Sequence, residues 1–466
     1  MNKYKKLLGN SFIFAIGNFG SKLMQFIMVP LYSYTLTTSE FGRVDILTTI
    51  VNLIAPIIGL DIFDAVFRFA LDKGDNKKET FSTGLFFIII VSIVTLFCGF
   101  ALRFLPFTKN YPVGAASILL VFTMLFSLIS NYTRAIGKIV QFAVAGIINT
   151  FVMGILNIIL LIVFKQGMQG YMQSMIWGLV IATVYLFIYC DLYNDINIKF
   201  FRLKKFRDLS KYSLPLIPNV LAWWLNSSSD RIFILMFLGA STNGIYAMAS
   251  KIPNMLSTII NIFFQSWQIS AVEEYNSEDS KKFISNVFDA FVSFLFILAI
   301  GLLTFLKPIF RVLVSHSYYI GWKIVPFLLL ALIYTSIAGF LGTIYTATKK
   351  TLPIMITTIY GAIINIVISV ILIKTYGVNG AAIANAISFL VVSILRFKDV
   401  NKAGRIGLNF YKLICLHIVF FFIATLDYFT SDLVVAFFGV ICVILLLAFN
   451  KYTKLYLKVI TSKIRE

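Results

Sequence analysis

Apolar runs of about 20 residues or more follow one another along the chain, separated by short polar gaps. About 20 apolar residues in a helix span the ~30 Å hydrocarbon core of a bilayer. The pattern predicts fourteen spans, at 8–36, 41–70, 81–104, 112–132, 138–164, 170–192, 211–238, 243–272, 283–305, 320–346, 351–373, 377–397, 409–427 and 431–450. The runs do not alternate in ten-residue segments as the strands of a barrel would. Pro30, Pro56, Pro215, Pro218 and Pro253 fall in the first, second, seventh and eighth spans and predict breaks there. The fold class is therefore all-α: a polytopic membrane protein of about 14 transmembrane helices.

Composition supports this reading, with 59% hydrophobic and only 13% charged residues among 466. The net charge of +20 raises nucleic acid as a partner, but the basic residues lie in the gaps between spans. No aromatic stacking platform or recognition module accompanies them, so no nucleic acid is expected. With the N-terminus placed in the cytoplasm, 28 of the 40 Lys and Arg fall in inside segments and 8 in outside segments. This asymmetry predicts cytoplasmic termini at both ends. The N-terminal run continues into a full span without a cleavage site and reads as an uncleaved first helix. Cys98, Cys190, Cys415 and Cys442 lie in or at the ends of apolar runs, without a CxxC or Cys/His cluster. No metal, cofactor or redox role is expected from them.

The chain carries an internal repeat. "TSEFG" (38–42) answers "STNG" (241–244), with Gly42 and Gly244 202 residues apart. "YPVG" (111–114) answers "YYIG" (318–321), and "RAIGK" (134–138) answers "TATKK" (346–350). Asn157 and Gly170 answer Asn365 and Gly380. The anchors keep their order, so two six-helix lobes are expected, related by an axis along the membrane normal as in alternating-access transporters. The expected boundaries are an N-terminal lobe at 1–193, a basic cytoplasmic linker at 194–210 lying among lipid headgroups, a second lobe at 211–398, and an appended helix pair with a basic tail at 399–466.

Three stretches carry a resemblance to a known family: "VPLYSYTLTTSEFGRVDILTTI", "SDRIFILMFLGASTNGIYAMASKI" and "NGAAIANAIS". The chain resembles the Wzx-type oligosaccharide flippases of the polysaccharide transporter family, within the multidrug/oligosaccharidyl-lipid/polysaccharide exporter superfamily. The resemblance implies two lobes around a central cavity. It also implies transfer of an undecaprenyl-pyrophosphate-linked oligosaccharide from the cytoplasmic to the outer leaflet of a bacterial inner membrane. Membrane lipids are then partners, and a polysaccharide polymerase is a candidate partner.

Charges inside spans are costly, which makes them site candidates. Asp230 and Lys251 stand about ten residues on either side of a turn near 240–241, hence at equal depth, and an ion pair between them is geometrically open. A structural bridge and a functional site both fit. In the functional reading Arg231 and Lys251 are cavity cations for the pyrophosphate, with Lys22 as a third, and Asp230 tunes them or takes part in ion coupling. Asp61 offers a contact for Lys22 and is a further ion-coupling candidate. Arg68 and Arg134, at the inner ends of their spans, fit either lipid-phosphate contact or a cationic inner mouth. Arg43 and Asp45 lie near the outer face, where a gate would close. Asp289 has no assigned role, and His316 and His417 read as interfacial residues.

The same fold would also suit a lipid II flippase or a drug exporter. A membrane-embedded polymerase or glycosyltransferase is disfavoured. The longest outer loop, about 306–319, has no paired carboxylates and no nucleophile–base motif, so no catalytic residues are expected.

Overall fold

The computed structural model describes residues 24–449, except 25, 73, 198–199, 275–278, 348–351, 405 and 408. Lys22 lies outside the described residues. The chain forms two compact units, Met1–Ala247 and Met248–Glu466.

The first unit begins, within the described residues, with a helical stretch at 26–35. It continues with α1 (Thr38–Ile58), α2 (Ile62–Ala70), α3 (Lys77–Leu102), α4 (Val113–Ala135), α5 (Ile139–Asn157), α6 (Gly167–Tyr189), α7 (Leu203–Ser213) and α8 (Ile217–Ala249). Thr37 starts α1 with a capping box: its hydroxyl accepts from the Glu40 amide, and the Glu40 carboxylate accepts from the Thr37 amide. Pro56 stands near the end of α1, and the chain then breaks at Leu60 and Asp61, both left-handed at φ 49° and 48°. Two successive non-glycine residues there hold strain. The second predicted span is thus two helices, α1 and α2. The helix α4 sits centrally, packed by α1, α2, α3 and α6.

The linker is tied to the first unit by side-chain contacts. Lys78 pairs with Asp195 at 3.2 Å, Tyr132 donates to Asp195 at 2.9 Å, and Lys205 of α7 pairs with Asp75. Asp195 and Lys205 thus bind the linker to the segment before α3, the start of α3 and the end of α4. Pro215 sits in a 3-10 turn (Leu214–Leu216) that interrupts the helix between α7 and α8, inside the seventh predicted span, and Pro218 stands in the first turn of α8, where a missing amide costs nothing. A second break comes at Gly239 (φ 84°), next to the turn predicted at 240–241.

The second unit holds α9 (Lys251–Glu274), α10 (Ser280–Thr304), α11 (Leu306–Leu313), α12 (His316–Tyr319), α13 (Val325–Ala347), α14 (Leu352–Tyr376), α15 (Val378–Lys402), α16 (Phe410–Phe429) and α17 (Asp432–Phe449). The helix α13 is its core, packed by α9, α10 and α15. The appended pair, α16 and α17, packs on α10, where Lys412 meets Asp289 at 2.7 Å. His417 lies two turns into α16, bonded to Tyr334 at 3.0 Å and ring-stacked with it.

Among the described residues, eleven helices are long and apolar enough to cross a membrane, and Asp432–Ala448 is a shorter apolar helix. One of the eleven, Ser228–Phe264, is a kinked run that joins the later part of the seventh predicted span to most of the eighth. Two asparagines matched by the sequence repeat each bond to a serine on the next helix. In α5 and α6, Ser174 donates to Asn157 at 2.5 Å; in α14 and α15, Asn365 donates to Ser388 at 3.2 Å. Both asparagines are buried.

Candidate functional site

The intramembrane charges of α8 converge with the start of α1. Gly239 turns the chain so that 240–247 runs beside Thr38–Thr49. The approach is backbone to backbone: a Cβ on Gly42 would lie 1.8 Å from the Ala240 carbonyl oxygen, and one on Gly244 would lie 1.9 Å from that of Thr38. Only glycine permits such contact. Beside it the Thr38 and Ser241 hydroxyls are 2.6 Å apart.

One layer deeper, Arg231 Nη1 lies 3.2 Å from Asp45 Oδ1 and donates to Thr49 Oγ1 at 3.2 Å. Asn243, fully buried, donates to Gly42 O at 2.9 Å and to Asp45 Oδ2 at 3.3 Å. Asp230 accepts from the Arg231 amide at 2.9 Å and from the Tyr246 hydroxyl. Trp224 donates its indole N–H to the Thr49 carbonyl at 3.2 Å. The cluster thus holds one guanidinium between two carboxylates, and each side chain reaches a polar partner, as low-dielectric surroundings demand.

Of the residues read from the sequence, the structure brings Asp230, Arg231 and Asp45 together. Tyr246, Asn243 and Thr49 join them, and no charge signals any of the three in the sequence. Asp61 is buried at the α1–α2 break, apart from this cluster. Arg68 is exposed in the last turn of α2. Arg134 lies 4.0 Å over the Phe67 ring and donates to Asn131 at 3.1 Å, while Asn131 donates to Asp64 at 3.4 Å. Lys251 opens α9 in the second unit. In that unit the sequence reading passed over Arg396. Buried in α15, it donates to Thr357 at 2.9 Å, Ala338 O at 2.8 Å, Thr358 at 3.0 Å and Ile354 O at 3.3 Å. It joins α13, α14 and α15 without a carboxylate. Metal-binding groups of three or more His, Cys, Asp or Glu are absent among the described residues.

The profile of the polysaccharide biosynthesis protein family matches residues 7–268, more than half of the chain. The chain belongs to that family. This polysaccharide biosynthesis protein is 22% identical over 263 residues to a protein of the Lsg locus of Haemophilus influenzae. That match covers 55% of this chain and 63% of the relative's length. Its fold is that of a lipid II flippase, MurJ, solved in an inward closed conformation: TM-score 0.70 at 16% identity, over 96% of this chain and 100% of the other. An inward-facing multidrug resistance transporter of the MATE family, in the MOP superfamily, follows at TM-score 0.64 and 14% identity, over 84% and 94%. These neighbours are transporters, not enzymes, and the polysaccharide biosynthesis protein shares their fold.

Proposed function

We propose that this protein is a flippase that carries an undecaprenyl-pyrophosphate-linked oligosaccharide from the cytoplasmic to the outer leaflet of the bacterial inner membrane, with both termini in the cytoplasm. Family membership supports a role in polysaccharide assembly, and the fold supports transport by alternating access. The observation that carries the mechanism is the Arg231–Asp45 contact behind the Gly42–Gly244 seal. It joins the two hairpins at what the charge asymmetry marks as the outer end.

In this arrangement Arg231 is not a spare cation, because Asp45 neutralises it. Opening the seal parts the two and leaves a desolvated guanidinium, whose planar fork matches a phosphate. The pyrophosphate then replaces Asp45 as counter-ion, and after release Asp45 returns and the seal closes. Lys251, Lys22 and the inner cations Arg68 and Arg134 are further proposed contacts along the path, and Asp230 and Asp61 are the proposed ion-coupling positions. An inside-negative potential adds about 2.3 kcal/mol per negative charge per ~100 mV in the outward direction. The substrate repeat unit feeds a surface polysaccharide, through a polymerase on the outer face.

The test is flipping of defined lipid-linked sugars in proteoliposomes, with lipid II as the comparison substrate. Transfer of the oligosaccharide-linked lipid that drops at least tenfold in Arg231→Ala supports the reading; preference for lipid II, or full activity of that variant, defeats it.

A further inference from the structure

A second cationic site lies at the end of the first unit where α1, α4 and α6 start and α3 finishes. Its cavity of about 770 Å³ is lined by Arg43, Arg103, Lys109, Tyr111, Gln169 and Gln173 on its polar side. Val113, Ile118 and Ile176 line its apolar side. The volume is in the range of sites for small ligands. Among the described residues, no acidic one lines it.

The cations there are oriented. Arg43 donates to Asn110 O at 3.1 Å and stands 5.9 Å over the Tyr111 ring. The Arg103 side chain lies across Gly114, where a Cβ would come within 3.7 Å of its Cδ. Among the described residues, the side chains of Arg103 and Lys109 form no hydrogen bond or ion pair. Gln169 and Gln173, four apart, present two amides on one face of α6.

Charge distribution makes the cluster more telling. In the proposed orientation this is the side poor in basic residues, and three of the eight found there meet in this one cavity. Topology signals favour the opposite end, so they do not account for the three. Next to Arg103 in the chain, Phe104 is 74% exposed and Leu105 39% exposed, as aromatic and apolar residues are at a membrane interface.

We propose that this cavity binds the phosphate headgroup of an anionic membrane lipid from the adjoining leaflet. The phosphate meets Arg103, Lys109 and Arg43, the headgroup hydroxyls meet the glutamine amides, and the chains leave along Ile118 and Ile176. Two guanidinium groups and an ammonium suit a phosphate diester, whereas a choline headgroup adds an opposing cation. The site is separate from the Arg231 cluster and stands whether or not the transported lipid is oligosaccharide-linked.

The test uses the full chain in nanodiscs of phosphatidylcholine doped with phosphatidylglycerol bearing a diazirine beside its phosphate. Light-induced adducts should map to the 103–118 and 167–176 peptides. They should fall at least fivefold in the double variant Arg103→Gln, Lys109→Gln, while adducts on the 191–211 linker persist and report an intact fold. Adducts at the two peptides that are absent, or unchanged in the double variant, overturn the proposal. So does loss of the adducts on adding soluble glycerol phosphate, which would mark a site for a dissolved phosphate ester.

Discussion

Gly42 and Gly244, partners across the internal repeat, touch one another: a Cβ on Gly42 would sit 2.7 Å from the Gly244 nitrogen. Residues matched by the sequence repeat thus lie in contact. The first prediction follows from their lack of side chains. Gly42→Ala and Gly244→Ala should each prop the hairpins apart. Overpacking of this kind costs about 1–3 kcal/mol, roughly a tenfold shift in the closed population. A cysteine at Ala240 should then react faster with a membrane-impermeant maleimide in the alanine variants. An unchanged rate would mean that the contact is not part of a moving seal.

Thr38 and Ser241 allow the same seal to be locked. With the four native cysteines replaced, Thr38→Cys with Ser241→Cys places two thiols where the hydroxyls are 2.6 Å apart. Oxidation should abolish flipping in proteoliposomes, and a reductant should restore it. Transport that continues in fully oxidised protein would show that these hairpins need not separate.

The Arg231–Asp45 pair should behave asymmetrically. Arg231→Ala removes both the latch and the proposed phosphate ligand, so flipping should fall at least tenfold. Asp45→Asn removes only the competing counter-ion, and should leave measurable transport while strengthening retention of a pyrophosphate lipid in detergent. Arg231→Lys should recover only part of the activity, because an ammonium lacks the planar fork. Equal losses in all three variants would point to a structural bridge.

Arg396 provides a stability test away from the seal. Arg396→Leu removes the four hydrogen bonds that tie α15 to α13 and α14, and loss of a buried charged hydrogen-bond set costs about 2–4 kcal/mol. Thermal unfolding of the purified protein should move down by several degrees, and Arg396→Lys should recover little of it. An unmoved midpoint would show that the guanidinium is dispensable to the packing of α13, α14 and α15.

The spans and the hairpin turn could be read from the sequence because apolar length and glycine placement are local properties. Gly239 breaks the helix within two residues of the expected turn. The charged cluster was legible only in half. Equal depth about the turn points from Asp230 to residues near 251. Opposite charge then drew attention to Lys251, whereas the hydroxyl of Tyr246 is the partner seen within the first unit. Asp45 meets Arg231 across 186 residues of chain, a pairing that no spacing rule encodes. Arg396 was hidden for a different reason. It stands in "RFKD" beside other basic residues, and sequence does not tell a buried arginine bonded to helix carbonyls from one that faces lipid phosphate.

The glycine contact also bears on the thermodynamics of opening. Parting Gly42 from Gly244 uncovers peptide groups and two hydroxyls, with almost no side-chain hydrocarbon at that point. Exposed hydrocarbon raises heat capacity and exposed polar surface lowers it, so this contact adds little to the heat-capacity change of opening. A seal built this way should keep its enthalpy of opening nearly constant, so the logarithm of the open-to-closed ratio stays linear in inverse temperature as a bacterium warms or cools, where a greasy plug of the same size would bend that line.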